Sequence, residues 1–253
     1  MDFLGTPDIG PLAFFGLMVA SLVTSFIGVF TGAAGGIVLL GLMAMVMPPL
    51  ALIPVHTVVM LGAGVTRTMI MWRNVMRPTL LPFVIGSLIG ATLGARVFIA
   101  LSTMWLEFIL GAFILLVTWM PKMGRAGGVR GRFAVLGFMT TFVGVFVSAT
   151  GTLLAPFVAA STPDRRIHVA TMGALMMIAH IAKIAAFGFI GFAIGRYVPL
   201  MAAMIAAGAL GNWIGEVALE KTSEKSFRVM LQVVLTLLGV RLLWSAAQSA
   251  GWF

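Results

Sequence analysis

Two glycine-rich stretches of this sequence, 116 residues apart, are close copies of each other. The first covers residues 26–36 and reads FIGVFTGAAGG, and the second covers residues 142–152 and reads FVGVFVSATGT. Both interrupt an apolar run with small residues, which leaves backbone N–H groups unpaired in a helix. The duplication therefore predicts two related halves, each with a break in an apolar helix at the same place. A shared bias toward Gly, Ala and Phe is the alternative explanation.

The low content of charged residues sets the solvent in which the chain folds. It is 61% hydrophobic and 9% charged, whereas soluble domains are about 25% charged. Apolar runs of about 20 residues, the length that crosses a bilayer, recur along the chain. These features predict an all-α polytopic membrane protein in a lipid bilayer. The first residues lack the basic region of a cleavable signal, so we expect the first apolar segment to be retained.

Ten apolar segments are predicted, near 11–31, 35–47, 55–72, 79–100 and 103–120 in the first half, and near 133–148, 151–161, 167–192, 197–219 and 227–249 in the second. The segments at 35–47 and 151–161 are too short to cross comfortably at 1.5 Å per residue. We therefore interpret 11–47 and 133–161 as broken or hairpin-like units. The sequence does not choose between re-entrant hairpins and two tilted spans.

The positive charges predict the topology, because cytoplasmic loops are rich in Lys and Arg. The net charge of +9 falls mostly in short loops between apolar segments, so nucleic acid is not expected as a partner. All these loops can be cytoplasmic only if each broken unit returns to its own side. The fold prediction is thus two inverted repeats, each a broken unit plus three transmembrane helices. Their bounds are 1–121 and 133–253, joined by a basic cytoplasmic linker at 122–132, and both termini are periplasmic.

The two breaks are the predicted binding site. A break in lipid must line a protein-enclosed cavity, and the half-helix that follows it points a positive N-terminus there, which favours anions. Close helix packing is the alternative role of the small residues. The predicted substrate-binding residues at the breaks are Thr31, Gly32, Gly35, Gly36, Ser148, Thr150, Gly151 and Thr152.

Four further polar residues lie within apolar segments. Lys183 and His180 are three residues apart on one helical face. Ionisable side chains in the middle of an apolar segment are expected to face the protein interior and to have a functional role. Arg67 is a third candidate cation, with snorkelling to the interface as its alternative. Asn212 interrupts an apolar segment, and a buried amide there would need a partner, either substrate or another helix. His56 and His168 occupy roughly corresponding places and are interpreted as interfacial structural histidines, with a proton relay as the alternative.

The motif F-x-G-x-x-x-G-x-x-G-G, here Phe26, Gly28, Gly32, Gly35 and Gly36, resembles that of the sulfite exporter TauE/SafE family. The stretch 48–57 and the glycine-spaced span 86–94 are also similar to that family. The resemblance implies transport of sulfur-containing anions such as sulfite or organosulfonates across the bacterial inner membrane, often outward. The second copy departs from the motif, since Ser148 stands in place of Gly32 and Thr152 in place of Gly36.

Together these features predict a secondary transporter that exports a small sulfur-containing anion by alternating access. An anion channel, and a transporter of another small anion, are the alternatives. An enzyme is not expected, because no nucleophile–base pair or metal cluster is evident, and neither a cofactor nor a metal is predicted. Protons, through His180 or Glu216, are a candidate coupling ion, and a homo-oligomer is a candidate assembly. The sequence does not identify the anion, the direction or the coupling ion.

Overall fold

The computed structural model of the protein describes residues 3–31, 34–119, 132–148, 150–218 and 224–251. The predicted linker at 122–132 therefore lies outside the described residues, except for Arg132, the first residue of a helix. The α-helices within the described residues are α1 (Pro11–Thr31), α2 (Ala34–Met43), α3 (Pro49–Ile70), α4 (Leu80–Ala100), α5 (Thr103–Trp119), α6 (Arg132–Val147), α7 (Gly151–Ala159), α8 (Arg165–Phe189), α9 (Val198–Ala218) and α10 (Glu224–Ser249).

The helices follow the apolar segments closely, and α3 is the main exception. It begins at Pro49, six residues before the segment predicted from hydropathy. Proline suits the first position of a helix, because its fixed φ matches the helix and the missing N–H has no partner there in any case. Pro54 then lies inside α3, and Pro156 lies inside α7.

Four of these helices are long and apolar enough to cross a membrane: Pro11–Gly28, Arg77–Ala100, Arg166–Phe189 and Ile194–Gly215. Pro49–Gly62, Thr103–Trp119 and Arg132–Val147 form shorter apolar helices. Large apolar side chains such as Leu12, Leu81 and Trp213 are exposed, and a bilayer is the solvent that accommodates such a surface. The prediction of an all-α polytopic membrane protein is confirmed.

The described residues group into two compact units. The first consists of residues within Met1–Val59, Leu101–Trp119 and Ala193–Phe253, and the second of residues within Met60–Ala100 and Met120–Phe192. In the first unit α1 packs along α9, and α5 packs along α10. In the second unit α4 packs along α6, while α8 contacts α4, α6 and α7. Each unit therefore contains helices from both halves of the sequence.

Glycines allow a close helix contact in the second unit. A Cβ on Gly90 would collide with the carbonyl oxygen of Phe138, and one on Gly86 would collide with that of Ala134. The contacts advance together along both helices, since Gly94 faces Phe142, so α4 and α6 run parallel. Small residues allow two backbones to approach in this way.

A similar seam lies in the first unit, between α1 and α9. A Cβ on Gly211 would collide with the carbonyl oxygen of Leu22. The Ser21 hydroxyl donates to the carbonyl oxygen of Met204 at 2.7 Å, and Ser25 lies against Gly208. These two helices also run parallel.

Candidate functional site

The break in the second half lies between α6 and α7, in the second unit. The N–H of Ser148 donates to the carbonyl oxygen of Gly144 at 2.8 Å and completes the last turn of α6. Ser148 itself has φ +55°, the left-handed region that ends helices and that non-glycine residues adopt rarely. The chain then enters α7 at Gly151. The carbonyl end of α6 and the N–H end of α7 thus meet within a few residues.

Lys183 extends from α8 to the end of α6. Its side chain is fully buried, and its Nζ donates to the carbonyl oxygens of Ser148 at 3.1 Å and Gly144 at 3.5 Å. A cation is stabilised at this position, because the last carbonyls of a helix carry partial negative charge. No carboxylate among the described residues pairs with Lys183. In its protonated form the Lys183 amine is therefore held by backbone dipoles, and its charge is available to an anion.

Thr150 lies on the other side of the break, at the N-cap position of α7. Its side chain makes no capping hydrogen bond, although threonine at this position usually accepts one from the helix backbone. The Thr150 Oγ1 is completely buried and has no hydrogen-bond partner within the described part of the chain. The Thr152 Oγ1 is in the same condition. Such orphaned hydroxyls are uncommon and indicate a ligand or water that would satisfy them.

Gly144 lies where these groups converge. A Cβ on Gly144 would lie 3.3 Å from the Lys183 Nζ and also 3.3 Å from the Thr150 Oγ1. A side chain there would press on both groups, so glycine leaves the space between them open. The site combines an ammonium, a buried hydroxyl and the N-terminus of a helix, and all three favour a small anion.

The break in the first half lies in the first unit, between α1 and α2. Gly32, and the side chain of Thr31, lie outside the described residues. A Cβ on Gly35 would lie 2.9 Å from the Gly28 Cα, so this glycine packs directly on α1. Gly35 thus has the packing role that the sequence had left open as an alternative.

A buried histidine supports α2 at this first break. The Nε2 of His56 donates to the carbonyl oxygen of Gly36 at 2.9 Å, and the His56 side chain is fully buried. The burial and the hydrogen bond of His56 fit a structural histidine, as predicted, and its depth in the membrane stays a prediction. Its partner could not be predicted, because every residue of the chain carries a backbone carbonyl.

The other predicted site residues are distributed between the units. His180 is buried on α8, three residues before Lys183. Asn212 is half-buried on α9 in the first unit. Arg67 lies on α3, and its side chain lies outside the described part of the structure. Gly151 has room beside it, since the nearest side-chain atom to a Cβ there would be the Met176 sulfur at 3.8 Å.

Comparison with known families accounts for nearly the whole chain. The model for the family "Sulfite exporter TauE/SafE" matches residues 17–242, which include both breaks and Lys183. The chain belongs to this family. TauE/SafE membership implies a membrane transporter of sulfur-containing anions, and the family is one of transporters rather than enzymes. The comparisons with curated proteins and with solved structures gave no match.

Two features of this TauE/SafE protein escaped prediction from its sequence. Gly144 belongs to the repeated motif, yet nothing in the sequence indicated that a lysine 39 residues later would reach its carbonyl oxygen. Thr141 is also fully buried, and its Oγ1 has no partner among the described residues. A threonine within an apolar segment is the only signal that the sequence gives for the unpaired Thr141 hydroxyl.

Proposed function

We propose that this protein is a secondary transporter that exports a small sulfur-containing anion, sulfite or an organosulfonate, across the bacterial inner membrane by alternating access. The observation that carries the proposal is the buried Lys183 ammonium, which is held by carbonyl oxygens and faces the orphaned Thr150 hydroxyl across Gly144. A buried cation with no carboxylate partner within the described residues favours an anionic ligand, because an anion supplies the missing countercharge.

The chemistry of a sulfite or sulfonate group fits these donors. Its oxygen atoms only accept hydrogen bonds, and the Lys183 Nζ, the Thr150 hydroxyl and the first N–H groups of α7 can all donate. Charge-assisted hydrogen bonds of this kind are short and strong, since one partner is ionised. The Thr152 hydroxyl, on the first turn of α7, is a fourth donor of the proposed site.

Inverted repeats are part of the proposal, and two features support them. Phe138 and Leu22 lie 116 residues apart, the offset of the repeated motif, and each receives a glycine of the parallel helix beside it. Within the first unit, α5 and α10 end the two halves and run antiparallel: Gly111 contacts Leu242, whereas the Trp119 Nε1 donates to the Thr236 Oγ1 at 3.1 Å. Corresponding helices of opposite direction are expected for inverted repeats.

The proposed repeats are residues 1–121 and 133–253, with a cytoplasmic linker at 122–132 and both termini in the periplasm. Alternating access then comes from rocking one structural element against another around the bound anion. Cysteine is absent from the sequence, so single cysteines can be introduced to test this topology. Labelling of a cysteine at a terminus by an impermeant maleimide added to intact spheroplasts is expected, and protection of that site would contradict the topology.

A flux measurement tests the proposal directly. Purified protein in proteoliposomes is expected to show saturable flux of radiolabelled sulfite or sulfonate, which Lys183→Met abolishes and Gly64→Ala leaves intact. Gly64 is a suitable control, because a Cβ there meets nothing within 4 Å. Absence of flux for several sulfur anions with folded wild-type protein would contradict the proposed substrate class.

The channel alternative is separated by counterflow. Vesicles preloaded with unlabelled anion transiently accumulate labelled anion from outside if the protein is a carrier, whereas a channel does not accumulate label in this way. Protons remain the proposed coupling ion, with His180 or Glu216 as the group that carries them. Flux that ignores an imposed pH gradient, at a fixed anion gradient, would exclude that coupling.

A further inference from the structure

The carbonyl end of α6 has the chemistry of a cation site. The oxygens of Gly144 and Ser148 converge on one point, which the Lys183 Nζ occupies. The positive φ of Ser148 turns the chain out of the helix just after this end. In transporters, unwound carbonyls and the C-terminal ends of half-helices commonly coordinate Na⁺. The same oxygens therefore suit an alkali cation as well as an ammonium.

The Thr150 hydroxyl lies on the other side of Gly144, outside hydrogen-bond reach of the Lys183 Nζ. Both the Thr150 Oγ1 and the Lys183 Nζ are 3.3 Å from the position of a Cβ on Gly144. A hydroxyl oxygen is a hard ligand of the type that Na⁺ and other hard cations accept. The Thr150 Oγ1 is fully buried and without a partner among the described residues, so its lone pairs are available.

We infer that the Lys183 ammonium is a built-in substitute for an alkali cation at this carbonyl site, so that anion transport needs no bound Na⁺ or K⁺. The inference deepens the proposed function, and its statement about anion transport rests on that function. A tethered amine never leaves the site and needs only a proton to become the cation, whereas a free alkali cation has to bind from solution. Lys183 thereby fixes the positive charge beside the N-terminus of α7 and beside Thr150, without a second ligand.

Truncation of the lysine and replacement of its lost atoms tests this inference. Lys183→Ala removes three carbons and the nitrogen, the heavy atoms of propylammonium. Propylammonium is expected to raise the thermal midpoint of detergent-purified Lys183→Ala by a few degrees, because a ligand that binds only the folded state stabilises it. Tetramethylammonium, which has no N–H, is expected to have no effect. Lys183→Met is the matched control, since its side chain fills the same space without charge and leaves no room for propylammonium.

The same variants in proteoliposomes give the second readout. Propylammonium, Na⁺ or K⁺ is expected to raise sulfite flux through Lys183→Ala about tenfold or more, the scale of one charge-assisted hydrogen bond, and to leave Lys183→Met inactive. If none of these cations stabilises folded Lys183→Ala or restores its flux, the inference is wrong. Folding of Lys183→Ala only in the presence of propylammonium counts as binding and supports it.

Wild-type flux provides a test that needs no variant. Replacement of every alkali cation by choline is expected to leave wild-type sulfite flux unchanged, and loss of flux would overturn the inference. The two proposals fail differently. Stabilisation of Lys183→Ala by propylammonium without any wild-type flux of sulfur anions refutes the proposed function and leaves the cation site in place. Wild-type flux of sulfur anions together with a Lys183→Ala variant that responds to no cation refutes the cation site and leaves the proposed function in place.

Discussion

Thr150→Val is expected to make the protein more stable and its transport weaker. Valine has nearly the shape of threonine and lacks only the hydroxyl. In the structure that hydroxyl is fully buried with no partner among the described residues, so the folded state without ligand gains nothing from it. In the proposed complex, by contrast, the hydroxyl donates to the anion. The substitution is therefore expected to stabilise the ligand-free protein and to destabilise its complex with the anion.

The size of both effects follows from this one hydroxyl. An unsatisfied buried polar group costs about 1–3 kcal/mol, and its removal should raise the thermal midpoint by roughly 2–4 °C per kcal/mol for a chain of this size class. A hydrogen bond to a charged group contributes about 1.5–3 kcal/mol. Its loss should weaken anion affinity by roughly 10- to 150-fold.

Thermal unfolding in detergent and calorimetric titration with sulfite measure the two quantities on the same sample. Thr171→Val is the matched control, because Thr171 is equally buried and its Oγ1 accepts the N–H of Met76 at 3.0 Å. The control should lower the midpoint and leave sulfite affinity unchanged, since it orphans a backbone N–H remote from the break in sequence. A lowered midpoint for Thr150→Val, or an unchanged sulfite affinity, would refute the reasoning.

Three further predictions concern the framework around the breaks. Gly90→Ala should lower stability by about 1–3 kcal/mol through overpacking against α6, whereas Gly64→Ala, with open space at its Cβ, should be neutral or stabilising; unfolding midpoints of the two variants decide, and equal midpoints would contradict the close seam. His56→Ala should destabilise the protein by about 1–3 kcal/mol because it removes a fully buried side chain together with its hydrogen bond to the Gly36 carbonyl oxygen, and an unchanged midpoint would contradict this structural role. Asp164→Ala should cost about 1 kcal/mol, since the Asp164 carboxylate caps α8 by accepting two backbone N–H groups; an Asp164→Asn variant of near wild-type stability is the expected companion result.

The sequence predicted the helices well because a bilayer imposes a length on every apolar run. The predicted segments 11–31 and 103–120 became Pro11–Thr31 and Thr103–Trp119. The start of α3 was missed, because hydropathy does not show that the prolines at 48 and 49 are compatible with the first turn of a helix. Lys183 was singled out for a physical reason as well: a charge within an apolar run is expensive, so it was expected to face the interior, and the structure buries it completely.

The partners of these residues could not be predicted in the same way. Lys183 donates to two carbonyl oxygens and His56 to a third, and every residue in the chain carries such an oxygen. Which one is exposed depends on where the backbone leaves the helix, here through the positive φ of Ser148. Likewise, the grouping of helices into two units draws on segments far apart in sequence, and hydropathy carries no information on such pairing.

The seam between α1 and α9 has a consequence for biosynthesis. The Ser21 hydroxyl meets the carbonyl oxygen of Met204, 183 residues later in the chain. At about 5–20 residues per second, roughly 10–40 s separate the emergence of the two helices from the ribosome. During that interval α1 is already in the bilayer with its serine-bearing face unoccupied by α9, and only later helices can cover it. A nascent chain that stalls before α9 would expose this polar face to lipid, where membrane quality-control proteases would meet it first.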